Sequence, residues 1–278
     1  MLYLMAAIGC SALISVLMRL STDKTKGSVS MLAVNYLMCL ALAAAYAGRW
    51  DTSGGCAGLV AAAGMGALNG VLYLLGFVLL QRSVKNNGVV LSSIFMKLGL
   101  LVPIMVSICL FGELPALWQA AGFVLAVAAI VLINVGTGTS EGKWNIGLLV
   151  LLLASGAADT MSKMFEELGN TRWSEQFLLV TFATALVLCV GLTAGKRERP
   201  GKWEILFGLL IGIPNYFSAR FLLRALERMA AVVVYPTYNV ATILIVTVAG
   251  LCLFRERLSK RQWFALAVIL AALILLNI

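Results

Sequence analysis

Apolar residues fill the chain in ten runs parted by short polar connections, at roughly 2–19, 29–48, 56–81, 87–112, 116–136, 144–165, 174–194, 203–225, 229–254 and 260–278. About 20 residues rising 1.5 Å apiece cover the roughly 30 Å hydrocarbon core of a bilayer. Membrane strands would instead alternate over about ten residues. The pattern therefore predicts an all-α integral membrane protein with ten transmembrane helices. The chain opens apolar at once, without a basic leader or a small-residue cleavage site. It predicts a retained first helix.

The runs are written twice. At a spacing of 143 residues, Phe111 and Glu113 find Phe254 and Glu256, Val89-Val90 find Val232-Val233, and Gln119 finds Gln262. Two five-helix repeats follow, 1–140 and 141–278, forming one domain together. An odd number of crossings per repeat sends the halves through the membrane in opposite senses. That is an inverted repeat, an architecture whose sites lie near the midplane between the repeats. Ser259 sits where an N-cap belongs before the last run, and Pro115 falls in the first turn of the fifth. Glu113 and Glu256 precede those same runs, where a carboxylate meets the positive end of a helix; a gate or proton site is the other reading. The tryptophans Trp50, Trp118, Trp144, Trp173, Trp203 and Trp263 stand near run ends, as interface anchors do.

Composition narrows the class further. The chain is 62% hydrophobic and 12% charged, whereas soluble domains run near 25% charged. The net charge of +9 is spread over short connections, with no basic stripe interleaved with aromatics. No nucleic-acid partner is expected; the lipid bilayer is the partner. Lys and Arg gather in the odd-numbered connections, and the positive-inside rule places those in the cytoplasm with both termini outside. There is no histidine and no CxxC, so neither a zinc site nor an imidazole base is available, and no cofactor is expected. The six cysteines lie in or beside apolar runs and read as buried, inert thiols.

A few polar residues interrupt the runs. Lys97 falls near the middle of the fourth, where an ammonium costs about 2.5–3.5 kcal/mol unless it faces a cavity or a partner. It is a candidate to meet a substrate carboxylate or phosphate, to change protonation during a cycle, or to pair structurally with Asp159. Asp159 and Lys163 stand four apart on the sixth run, acid first, on one helix face. In a register of 144, Ser15 and Arg19 stand opposite them. Lys97, Asp159 and Lys163 are thus the coupling candidates. Asn69 and Tyr73 on the third run, Asn215, Tyr216 and Arg220 on the eighth, and Tyr238 and Asn239 on the ninth could orient a small ligand or serve as packing glue. Pro236 within the ninth run frees a carbonyl one turn back, which marks a binding site or a purely structural kink.

The stretches LFGELPALWQAAGFVLAVAAIVLIN, LFRERLSKRQWFALAVILAALILLN, NNGVVLSSIFMKLGLLVPI and GIPNYFSARFLLRAL resemble the drug/metabolite transporter superfamily, in its EamA-like family, over essentially the whole chain. The resemblance implies ten helices, alternating access and a central cavity lined by helices 1, 3, 4, 6, 8 and 9, with helices 5 and 10 peripheral. It also implies both termini in the cytoplasm, against the charge distribution. The first-helix glutamate of the small multidrug members has no counterpart here.

The expectation is a secondary transporter, an exporter by family habit, in the bacterial inner membrane. It would work as a monomer on a small polar or amphipathic metabolite such as an amino acid. The alternatives are flipping of a lipid-linked or phosphate-bearing sugar and, more remotely, an intramembrane enzyme or a receptor. Nothing resembles a nucleotide-binding loop.

Overall fold

A computed structural model describes residues 1–25, 28–46, 56–103, 105–106, 116–135, 146–168, 173–196, 200–226, 228–229 and 231–275. These are helical almost throughout, and helical residues fall within each of the ten predicted runs. Helix α1 spans Leu2–Thr22 and α2 spans Ser28–Tyr46. Cys56–Leu98 is continuous except at Gly88, whose φ of 81° and ψ of 170° divide it into α3, 56–87, and α4, 89–98. Then come α5 (Leu117–Val135), α6 (Ile146–Leu168), α7 (Ser174–Lys196), α8 (Lys202–Leu226), α9 (Ala231–Leu253) and α10 (Lys260–Leu275). Among the described residues, six helices are long and apolar enough to cross a membrane.

The division at Gly88 is a reversal. Ser83 Oγ and Ser92 Oγ lie 2.8 Å apart, whereas nine residues of straight helix would separate them by about 13 Å. Only a folded-back chain brings them together. Glycine tolerates the positive φ that the turn requires.

Long apolar faces give helices no preference for one another in lipid, so close packing has to supply it. Two glycine pairs do so. On α3, a Cβ at Gly66 or Gly70 would lie 2.8 Å or 2.4 Å from the carbonyls of Phe177 and Thr181 on α7. On α8, a Cβ at Gly208 or Gly212 would lie 2.8 Å from the carbonyls of Met31 and Asn35 on α2. Both crossings join the first half of the chain to the second. Elsewhere α1 packs on α8 and α9, α3 and α4 pack on α6, and α5 lies against α10.

Contacts at the helix ends define two ends of the bundle. At one, which we call the Trp173 end, Phe165 stacks on Phe177 with ring centroids 4.2 Å apart, and Glu175 meets Arg220 at 3.0 Å and Arg224 at 3.4 Å. At the Gly88 end, Arg19 lies 3.8 Å from Glu256, and Lys24 sits 4.9 Å over the Trp203 ring.

Several sequence expectations need correction. Trp173 is buried rather than an interface anchor, because the bare backbone at Gly58 leaves room for its indole; Trp118, Trp203 and Trp263 are exposed. Cys252 is exposed, while Cys39 and Cys189 are buried. Glu256 caps a helix, but not the one that follows it. Ser259 and Gln262 cap α10 reciprocally, with Gln262 N–H donating to Ser259 Oγ at 3.2 Å and Ser259 N–H to Gln262 Oε1 at 2.8 Å. Glu113, Pro115, Trp50 and Trp144 lie outside the described residues.

The glycine crossings can be tested directly. Gly70→Val forces a branched side chain into the α3–α7 contact and should lower stability by about 1–3 kcal/mol. Gly64, whose added Cβ would meet nothing within 4 Å, should tolerate alanine with no loss. Thermal unfolding of the two variants in detergent compares them.

Candidate functional site

A cavity of about 110 Å³ lies between the two ends. Its walls come from α1, α3, α4, α6, α8 and α9, the six helices that the resemblance names. That volume holds a small solute or several waters, since about 10–15 Å³ of such space admits one water.

Lys97 is the cation of this cavity, held by α4 and only 9% exposed. Its Nζ donates to Ser11 Oγ on α1 at 3.1 Å and stands 3.9 Å from the centroid of the Tyr238 ring on α9. A desolvated cation over an aromatic face gains about 2 kcal/mol, which offsets much of the burial cost. Tyr238 is itself fixed, its hydroxyl 3.2 Å from Ser218 Oγ on α8. Ser93, one turn before Lys97, donates to Ser15 Oγ at 3.2 Å and ties α4 to α1 a second time.

Asp159 lines the same cavity from α6. Its side chain is exposed. Among the described residues it makes no hydrogen bond and no ion pair, with Lys97 or with Lys163. The cavity thus presents one held cation and one open carboxylate on separate walls.

Of the residues singled out in the sequence, Lys97, Asp159, Tyr73, Asn215, Tyr238 and Asn239 line the cavity together. Asn215 Nδ2 donates to Asn35 Oδ1 at 3.2 Å, which fixes its amide against α2. Asn69, Tyr216, Arg220 and Lys163 are not part of the lining. Asn69 is buried on α3 with its Nδ2 3.5 Å from Thr181 Oγ1. Arg220 turns to Glu175 and lies 3.9 Å over the Tyr46 ring. Tyr216 stacks on that same Tyr46 ring, with centroids 5.9 Å apart, and its hydroxyl donates to Glu175 Oε2 at 3.4 Å. Sequence reading missed Glu175, which organises this group from the first turn of α7.

It also missed the small residues of the wall: Ser11, Ser15, Ser93, Ser155, Ser218 and Gly76. The signal for two of them was present. Ser11 and Ser15 stand four apart on an otherwise apolar run, and the register that aligns Ser15 with Asp159 also aligns Ser11 with Ser155. Gly76 is of another kind. A Cβ built there meets nothing within 4 Å, so bare backbone at this position serves no helix crossing and leaves room in the cavity.

Residues 142–278 match the EamA-like transporter family. An uncharacterised protein of Haemophilus influenzae (strain ATCC 51907 / DSM 11121 / KW20 / Rd) is 25% identical over 203 residues, covering 71% of this chain and 69% of that one. A solved crystal structure superposes with a TM-score of 0.61 at 18% identity, covering 99% of this chain and 94% of that one. At that identity the likeness concerns the fold.

Gly76 separates folding from filling. Gly76→Ala should leave the unliganded protein as stable or stabilise it by about 0.5–1 kcal/mol, since glycine is a poor interior helix residue. Gly76→Leu should occupy the cavity and abolish solute-induced stabilisation. Melting temperatures with and without small polar solutes measure both.

Proposed function

The chain belongs to the EamA-like transporter family, and from that premise we propose that it is a secondary transporter of a small zwitterionic metabolite such as an amino acid. It works by alternating access across ten helices in a bacterial cytoplasmic membrane, as a monomer and in the direction of export. The observation that carries the reading is the cavity's charge arrangement. Lys97 and Asp159 face one small space and make no ion pair with each other, so one ligand can meet both. A carboxylate at Lys97 forms a charge-assisted hydrogen bond, and an ammonium at Asp159 does the same with the donor and acceptor exchanged. Tyr73, Asn215 and Asn239 supply orienting polar groups, and Asp159 or Lys97 is the group through which a proton would couple.

The reading favours a zwitterion over a phosphate-bearing head group because a dianion would gain from Lys97 and be repelled by Asp159. Arg220 does not tip this balance, since it pairs with Glu175 and stands outside the cavity lining.

Ligand-induced stabilisation tests the assignment, because a ligand that binds only the folded form adds RT ln(1 + [L]/Kd), about 2.7 kcal/mol at a hundredfold excess over Kd. Small amino acids should stabilise the purified protein. Lys97→Ala should abolish the response to every carboxylate. Asp159→Asn should remove the preference for amino acids over the matching plain carboxylic acids. Stabilisation by organic cations that survives Lys97→Ala would overturn the carboxylate assignment.

A further inference from the structure

The cavity is closed at the Gly88 end. The seal is dry: Ser83, Val84, Val89, Val90 and Ser92 are all buried. At its centre is a carboxylate from the other half of the chain. Glu256 Oε1 accepts the Val89 N–H at 2.7 Å, and Glu256 Oε2 accepts the Val90 N–H at 3.2 Å. Both amides belong to the first turn of α4, where helix N–H groups have no partner within the helix and the dipole favours an anion.

The chain is shaped to deliver this side chain. Arg255 adopts φ 50°, a left-handed conformation that costs a non-glycine residue about 1–2 kcal/mol. The Glu256 N–H then returns to the Gly250 carbonyl at 3.0 Å. A Cβ at Gly88 would lie 2.8 Å from the carboxylate, and one at Gly250 would lie 2.4 Å from Val90. Bare backbone on both sides lets the two segments close on each other. Arg19, at the end of α1, stands 3.8 Å from Glu256 and 5.7 Å over the Phe254 ring.

We infer that Glu256 is the latch of the closed end and a positioning residue for Lys97. Its carboxylate clamps the N-terminus of the helix that carries the cavity's cation, so opening at the Gly88 end requires α4 to release it. The inference rests on the alternating-access reading above. It goes beyond that reading by naming the contact that holds one of the two states and by linking that contact to the binding lysine. Glu113 occupies the matching position in the first repeat, with Val232 and Val233 matching Val89 and Val90.

The test is accessibility from each face. Leu80, buried in the cavity wall on α3, is replaced by cysteine as a reporter. Labelling by a membrane-impermeant maleimide is followed in sealed vesicles of both orientations, against the chain without the reporter. With Glu256 present, the Leu80→Cys thiol should label from the Trp173 face. Glu256→Ala should raise labelling from the Gly88 face by on the order of a hundredfold, in line with the loss of two charge-assisted hydrogen bonds. Glu256→Gln, which keeps one acceptor and the side chain's size, should raise it less and secures the result should the alanine variant fail to fold. Labelling from the Trp173 face alone, unchanged in a folded Glu256→Gln protein, would overturn the latch and leave the transport reading standing. Labelling from neither face in any variant would remove both.

Discussion

An ammonium held inside an apolar helix bundle constrains everything around it. Lys97 cannot be solvated by hydrocarbon, so its charge has to be met by groups that the fold brings from elsewhere. Ser11 comes from α1 and Tyr238 from α9, and Ser218 of α8 steadies the ring. The position of α4 is fixed from its own N-terminus by Glu256. The surroundings of one cation thus draw in four further segments, and those are largely the segments that enclose the cavity. Asp159, the acid that could have quenched Lys97, stands on a different wall. The polarity of the space between them is a product of that separation.

The bundle divides its labour between contacts that are tight and contacts that can part. The glycine crossings of α3 with α7 and α2 with α8 bring backbone against backbone and admit no added methyl without displacement. Such contacts resist sliding. The Gly88 end adds to its own close glycine contacts a carboxylate on two amides, with aromatic and cationic side chains at its edge. Hydrogen bonds of this kind can be exchanged for water without unpacking a helix face. The softer contacts therefore sit where an opening is needed.

Much of this was legible in the sequence, and the losses have physical causes. Run length in a bilayer fixes the all-helical class with little ambiguity, because backbone groups in lipid must be satisfied internally. Lys97 and Asp159 stood out because ions in apolar runs are costly. Arg220 stood out for the same reason, yet periodicity carries no information on which partner it turns to, and Glu175 lies on another helix. Trp173 was legible by position only; its burial depends on Gly58, more than a hundred residues away. Glu256 was read as a helix cap, which it is, but its helix belongs to the other half of the chain. Capping logic from sequence sees only the next helix along. Serines in the cavity wall are quieter still, since a hydroxyl can bond its own helix and leave the hydropathy pattern undisturbed.

The interleaving of the halves has a consequence for biosynthesis. The first five runs leave the ribosome before α7, α8 and α9 exist. At that stage the glycine face of α3 and the face of α2 that receives the α8 glycines have no helix to meet, and Lys97 has Ser11 but neither Tyr238 nor the clamp from Glu256. The nascent first half must hold an ill-satisfied cation and two unfilled grooves in the membrane until the second half arrives. Completion of the cavity is therefore a late event in assembly. A chain truncated after the fourth or fifth run is expected to be a substrate for membrane quality control rather than a stable half-protein.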